Sequence, residues 1–314
     1  MKFRTEIKIR EYPVKIDYHS KIFGLGSCFV DNIKEKLDYY SFSNLINPFG
    51  VVFNPYSIKR LFERIIRKEY FTRDELFFHE NLWKNFDLHS RNNRADAQKF
   101  LEEANGLLIK SHEFLKTSGW VFVTLGTAWV YKSLRNNQIV NNCHKIDQKE
   151  FVKFLLSPEE IQEMLKESIK LIKSFNPNAN ILFSISPVRH LKDGFVENNR
   201  SKSHLHAALH PLIKSNIFYF PSYEILMDDL RDYRFYSKDM LHPNEIALEY
   251  IWEKFTGAMI NPQIKEDMKI IESIKKHAAH RPFQEAKEYP LKIRKKMDQI
   301  HKKYPGIYKK LMKL

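Results

Sequence analysis

Two short segments, far apart in the chain, carry residue types that could move a proton together. Gly24-Leu25-Gly26-Ser27-Cys28-Phe29 sets a hydroxyl and a thiol behind a glycine. Asp239-Met240-Leu241-His242-Pro243-Asn244 sets a carboxylate three residues before an imidazole. At that separation Asp239 can reach back to the Nδ1–H of His242, fix its tautomer and leave Nε2 free to take a proton. A hydroxyl beside such a base becomes a nucleophile for a carbonyl carbon. Cys28 is the better nucleophile intrinsically, and a helix N-terminus lowers a thiol pKa. One step along a helix, however, turns its side chain about 100° from that of Ser27. A small buried cysteine is also the commoner outcome. Ser27 is therefore the expected nucleophile, with Asp239 and His242 as its base. The plainer uses are helix capping for Ser27 and local loop capping for Asp239.

These residues need elements to position them. Short apolar runs at Lys21–Leu25, Phe42–Ile46, Trp120–Leu125, Asn180–Ser184 and Asn216–Phe220 alternate with helical patterns. That alternation predicts βαβ units and a parallel sheet covered by helices on both faces, an α/β domain. Helices are expected after Ser27 and over Tyr56–Tyr70, Ala95–Lys116, Ser157–Ser174 and Pro243–Phe255. Ser157, Pro158 and Glu160 spell a capping box with proline at the first helical position. Ligands of such sheets bind beyond the carboxyl ends of the strands. There the first strand delivers Ser27 to unpaired helix amides able to hold an oxyanion. The second delivers Asn47-Pro48-Phe49-Gly50 and Asn54, the third Gly126-Thr127-Ala128, and the fourth Arg189-His190. Gly50 could offer an amide to an oxyanion, or merely form a turn.

Composition narrows the classes. The 314 residues are 43% hydrophobic, enough for a sizeable core. No apolar run approaches about 18 residues, and the segment Met1–Lys21 is charged throughout, so neither a membrane span nor a secretory signal is expected. Two cysteines, Cys28 and Cys143, are too few for a disulfide scaffold, which points to a reducing cytoplasm. Of the net charge of +14, residues 261–314 supply +9, from 15 Lys/Arg against 6 Asp/Glu. The rest is only mildly basic, so no nucleic-acid partner is expected. The basic tail, broken by Pro282, Pro290 and Pro305, is expected to be a helical appendage with residues 1–260 as the main domain. Its basic residues, from Lys292 to Lys309, Lys310 and Lys313, could touch an anionic surface. His206 and His210 could share a helix face, but no carboxylate or cysteine lies near them in sequence. A solvated helix is expected there, without metal.

The motifs and their order resemble the SGNH/GDSL hydrolase superfamily, and more closely its GSCFA branch. The resemblance rests on Gly26-Ser27-Cys28-Phe29, Asn47–Gly50, Leu125–Tyr131, Asn142–Lys145, Ser186–Gly194 and Tyr223–Pro243, and it covers roughly residues 5–255. It implies a three-layer αβα fold with a five-stranded flavodoxin-like sheet of order 2-1-3-4-5. It implies a serine esterase or deacetylase acting on a small O-acyl group, such as acetyl on a carbohydrate, without a cofactor. Ser27, Asp239 and His242 would be catalytic, and the amides of Ser27 and Gly50 would help form the oxyanion hole. The superfamily's asparagine after the third strand is replaced here by Ala128, so its role would pass to Thr127, Asn54 or His89. His89, His144, Lys145, Arg189 and His190 are the expected substrate contacts. The competing reading is a binding module that grips an anionic ligand with Arg189, His190, Lys145 and Lys192, without turnover.

Overall fold

A computed structural model describes residues 4–279 and 291–311. Five parallel strands, β1 (Lys21–Gly26), β2 (Ser43–Ile46), β5 (Trp120–Leu125), β9 (Asn180–Ile185) and β10 (Ile217–Tyr219), form the main sheet. Their order in space is β10-β9-β5-β1-β2. Counted along the chain, that is 2-1-3-4-5, the flavodoxin-like order. All five fall on the apolar runs of the sequence.

Alternation along each strand decides which side chain faces which layer. Ile22, Trp120, Phe122 and Leu182 pack on one face, against α1 (Cys28–Tyr39) and α7 (Glu245–Met259). Phe23, Leu25, Val121, Val123, Phe183 and Ile185 pack on the other, against α2 (Pro55–Arg67), α3 (Ala97–Lys116), α4 (Pro158–Phe175) and α5 (Phe195–Leu209). Each such buried side chain contributes about 1.5–3 kcal/mol. The result is a three-layer α/β sandwich. The capping box at Ser157 and Glu160 forms as its spelling predicts. The helix expected from Pro243 instead begins at Glu245, because Asn244 is its cap and accepts from Ala247 N at 3.0 Å.

Two small sheets were not legible in the pattern. β3 (Phe77–His79) and β4 (Leu82–Lys84) make a hairpin; β6 (Trp129–Ser133), β7 (Ile139–Val140) and β8 (Phe151–Leu155) make an antiparallel sheet. β3, β4 and β7, of two or three residues each, are too short to display a period.

Beyond the one-turn helix α6 (Ser222–Glu224) and α7, the chain continues into α8 (Lys265–Ala279), α9 (Leu291–Lys303) and α10 (Pro305–Leu311). Met268, Ile271, Ile293, Met297 and Ile300 join the same buried cluster as α1 and α7. The rings of Tyr18 and Tyr304 lie 4.8 Å apart, and buried Asp267 accepts from Lys303 and Tyr304 at 3.0 Å each. Pro282, Pro290 and Lys313 lie outside the described residues, as do the side chains of Lys309 and Lys310. Among the described residues, no helix is long and apolar enough to cross a membrane.

Candidate active site

The topological switch lies between β1 and β5, and α1 starts there. Gly26 permits the strands to close. A Cβ on it would stand 2.8 Å from the backbone of Thr124. Asn47, left-handed at φ 47°, then ties the ends together. Its Oδ1 accepts from Gly26 N at 2.8 Å, and its Nδ2 donates to Asp31 on α1 at 2.8 Å. The Asn47–Gly50 loop thus anchors the strand end and the first turn of α1.

Asp239 and His242 sit on a loop closed by Ser237 N to His242 O (2.8 Å) and by the Tyr236–Pro243 bridge. Asp239 Oδ1 accepts from the amides of Leu241 (2.9 Å) and His242 (3.1 Å), while Oδ2 meets His242 Nδ1 at 2.7 Å. These contacts, first the His242 amide, then that of Leu241, then the imidazole, hold the Asp239 carboxyl at about 2. The backbone of Arg189 donates to Leu241 O at 3.2 Å, tying this loop to the end of β9.

The atom that His242 Nε2 faces is Cys28 Sγ, at 3.6 Å. Ser27 is 2% exposed and its hydroxyl accepts from Phe29 N at 3.3 Å, as an N-cap. Among the described residues no hydrogen bond joins it to His242. The 100° separation on which the preference for Ser27 rested assumes that both residues are helical. Ser27 is not: its φ of −65° and ψ of 171° are extended, and the first helical residue is Cys28. Burial, then Asp31, push the Cys28 thiol up, so it rests protonated; Lys202 and the amides of Cys28 and Phe29 oppose this.

Three of the four expected oxyanion donors are engaged elsewhere, and the fourth, Asn54, is a helix cap. Ser27 N donates to Thr124 O (3.0 Å) and Gly50 N to Asn47 O (2.9 Å). Asn54 caps α2 by accepting from Ser57 N (2.8 Å), and the Thr127 hydroxyl pairs with Ser201 Oγ (2.9 Å). The space beside Ala128 is filled by Ser201, whose Oγ accepts from Ala128 N at 2.7 Å. The amides that face the thiol are those of Cys28 and Phe29, at the N-terminus of α1.

The expected substrate contacts separate. His190 is near His242 and Lys202, both of which act on its charge; burial, then Lys202, hold it at about 4. Among the described residues its Nε2 is buried without a hydrogen-bond partner. Arg189 points elsewhere, its guanidinium 4.1 Å from the Tyr236 ring centroid and 5.3 Å from that of Tyr233, beside a cavity of about 440 Å³. His89 sits against Gly50 and accepts from Arg91 N at 3.3 Å. His144 is buried beneath the small sheets with Nε2 on Asn85 O at 2.7 Å, so it is not presented to a substrate. Its neighbour Lys145 is exposed and acts on Glu80.

Sequence reading missed Lys202. It is fully buried on α5, and Nζ donates to Gly126 O (2.6 Å) and Ser186 O (2.7 Å) at the ends of β5 and β9. Burial brings it down to about 7. Within the polar run Asn198-Asn199-Arg200-Ser201-Lys202 no signal marks it as buried.

The arrangement is a thiol, an imidazole and a carboxylate in line, with helix amides and a buried cation nearby. No curated protein matches this chain. Among solved structures it is similar to a mutant acetyl esterase with an acetate ion, at 9% identity and a TM-score of 0.35, covering 80% of this chain and 98% of that one. It is also similar to an acetyl xylan esterase from the rumen bacterium Butyrivibrio proteoclasticus (9%, 0.39, covering 81% and 65%). A carbohydrate esterase family 3 protein from Talaromyces cellulolyticus is a third (8%, 0.36, 80% and 98%). Similarities at this level say nothing of the activity of this chain. The model of the GSCFA family matches residues 21–255, three quarters of the sequence and every segment just described, and the chain therefore belongs to the GSCFA family.

Proposed function

We propose that the protein is an acyl-ester hydrolase that works through Cys28, His242 and Asp239, acting on a small O-acyl group such as acetyl on a carbohydrate. The observation that carries the mechanism is the contact of 3.6 Å between Cys28 Sγ and His242 Nε2, with Asp239 2.7 Å behind the ring. His242 takes the thiol proton as sulfur attacks the acyl carbon. Asp239 orients the ring and stabilises the imidazolium. The oxyanion forms against the amide of Cys28, where the helix terminus and the charge of Lys202 favour it, while the Phe29 amide is held by the Ser27 hydroxyl. The intermediate collapses with cleavage of the C–O bond; His242 protonates the departing alcohol, leaving an acyl thioester on Cys28. A water deprotonated by His242 then releases the acid and restores the thiol.

A thiol protonated at rest makes this base-assisted chemistry rather than a preformed thiolate. Both cysteines are free, which suits a reducing compartment such as the cytoplasm. The test is to incubate the protein with p-nitrophenyl acetate and quench. An acetyl adduct on Cys28 that hydroxylamine removes supports the reading. Turnover without any adduct on Cys28, or no turnover across a panel of acyl esters, sinks it.

A further inference from the structure

We propose that His206, His210 and Glu224 form a binding site for a zinc-class divalent cation, separate from the thiol site and independent of the function proposed for it. The two histidines lie a turn apart at the C-terminal end of α5. The carboxylate missing from the local sequence is supplied by α6, beyond the edge strand β10. The three donor atoms lie within 4.8 Å of one another. His206 Nδ1 is 3.4 Å from His210 Nε2 and 3.8 Å from Glu224 Oε1.

Distance separates this from an ordinary contact. An N–H hydrogen bond is usually about 2.7–3.2 Å. Two nitrogens bound to one tetrahedral zinc, each at about 2.0–2.1 Å, stand roughly 3.4 Å apart. The nitrogen pair has the spacing of a coordination edge, but the two rings are nearly parallel at 8° with centroids 5.6 Å apart and face each other head-on, so each must turn by about 35°, and Glu224 must swing, to close the triangle on one tetrahedral ion. Two imidazoles and one carboxylate suit zinc, cobalt or nickel better than calcium or magnesium.

The surroundings are built to hold these rings. Tyr219 donates to Glu224 Oε1 at 2.9 Å and Oε2 at 2.7 Å, the outer-shell hydrogen bond that orients a ligating carboxylate. The ring of His210 stands edge-on to Tyr219 at 4.7 Å, and that of His206 to Tyr223 at 5.1 Å. His204, on the same helix, takes no part; its Nδ1 meets Leu156 O at 2.7 Å. A bound cation would staple α5 to the segment after β10, which has only one neighbouring strand.

The experiment uses untagged, chelator-stripped full-length protein titrated with Co²⁺ and Zn²⁺. We expect one equivalent of Co²⁺ to give visible d–d bands, displaced by Zn²⁺, and Zn²⁺ to raise the melting temperature. His210→Ala, at an exposed position, and Glu224→Gln should each abolish the bands. Tyr219→Phe should weaken binding about ten- to a hundredfold. The double variant Cys28→Ala/His242→Ala should keep the bands, which excludes the thiol site as their source. No uptake at 100-fold excess metal over protein, or stoichiometric binding that survives both His210→Ala and Glu224→Gln, overturns the proposal.

Discussion

Replacing Ser27 and Cys28 one at a time separates two neighbours that differ by a single position and by everything else. Ser27→Ala removes the oxygen that accepts from Phe29 N. Losing an N-cap costs about 1 kcal/mol, roughly fivefold in the folding equilibrium. The thiol, the imidazole and the helix amides stay in place, so kcat should fall by no more than a few fold. Cys28→Ala leaves the cap intact and removes the sulfur that faces His242 Nε2. Losing a nucleophile whose base is intact costs at least about ten-thousandfold in kcat. The two variants should therefore part in opposite directions: one melts earlier and works, the other melts normally and does not work. The assay is steady-state hydrolysis of p-nitrophenyl acetate by protein from a host lacking contaminating esterases, paired with thermal melting. Normal turnover by Cys28→Ala, or loss of turnover in a well-folded Ser27→Ala, would refute the assignment and return the nucleophile to the serine.

Asp239→Asn should cut kcat by about a hundred- to ten-thousandfold, because an amide NH₂ facing Nδ1 selects the wrong tautomer of His242. The Asp239 carboxyl lies below its ordinary value of 3.8, at about 2. Its contribution is complete above the ordinary value and lost as pH falls through about 2. The pH–rate profile should therefore show no acid limb from Asp239 above pH 4. Because burial raises the Cys28 thiol, its alkylation by iodoacetamide should keep accelerating past pH 9 instead of levelling in the neutral range. Lys202 falls from 10.5 to about 7, so the unfolded chain binds the extra proton between those values. Unfolding free energy should rise across that window, at up to about 1.4 kcal/mol per pH unit, in urea titrations. Lys202→Met should flatten the rise and slow Cys28 alkylation. Gly50→Ala should cost roughly 1–3 kcal/mol in backbone strain alone at φ +90°, and more from a Cβ placed 2.2 Å from His89 Cβ; chemical denaturation measures it.

What the sequence determined by itself was periodic or local. The three central strands of the main sheet could be placed because a strand buried on both faces must be apolar along its length, as Trp120–Leu125 is. The capping box at Ser157 and the pairing of Asp239 with His242 were legible because three residues of spacing leave little conformational choice. Tertiary structure decided the rest. Ser27 and Cys28 are indistinguishable as neighbours in a string; which one meets His242 depends on where the strand ends and the helix begins, and a shift of one residue at that junction turns a side chain to a different face. Lys202 reads as a solvated lysine because nothing in its helix reveals the carbonyls of Gly126 and Ser186 that receive it. Glu224 reads as remote from His206 because only the return of the chain through β10 carries it there. Periodicity is a property of one segment and its solvent, whereas a site is a meeting of segments, and the packing of the whole sheet sets its distances.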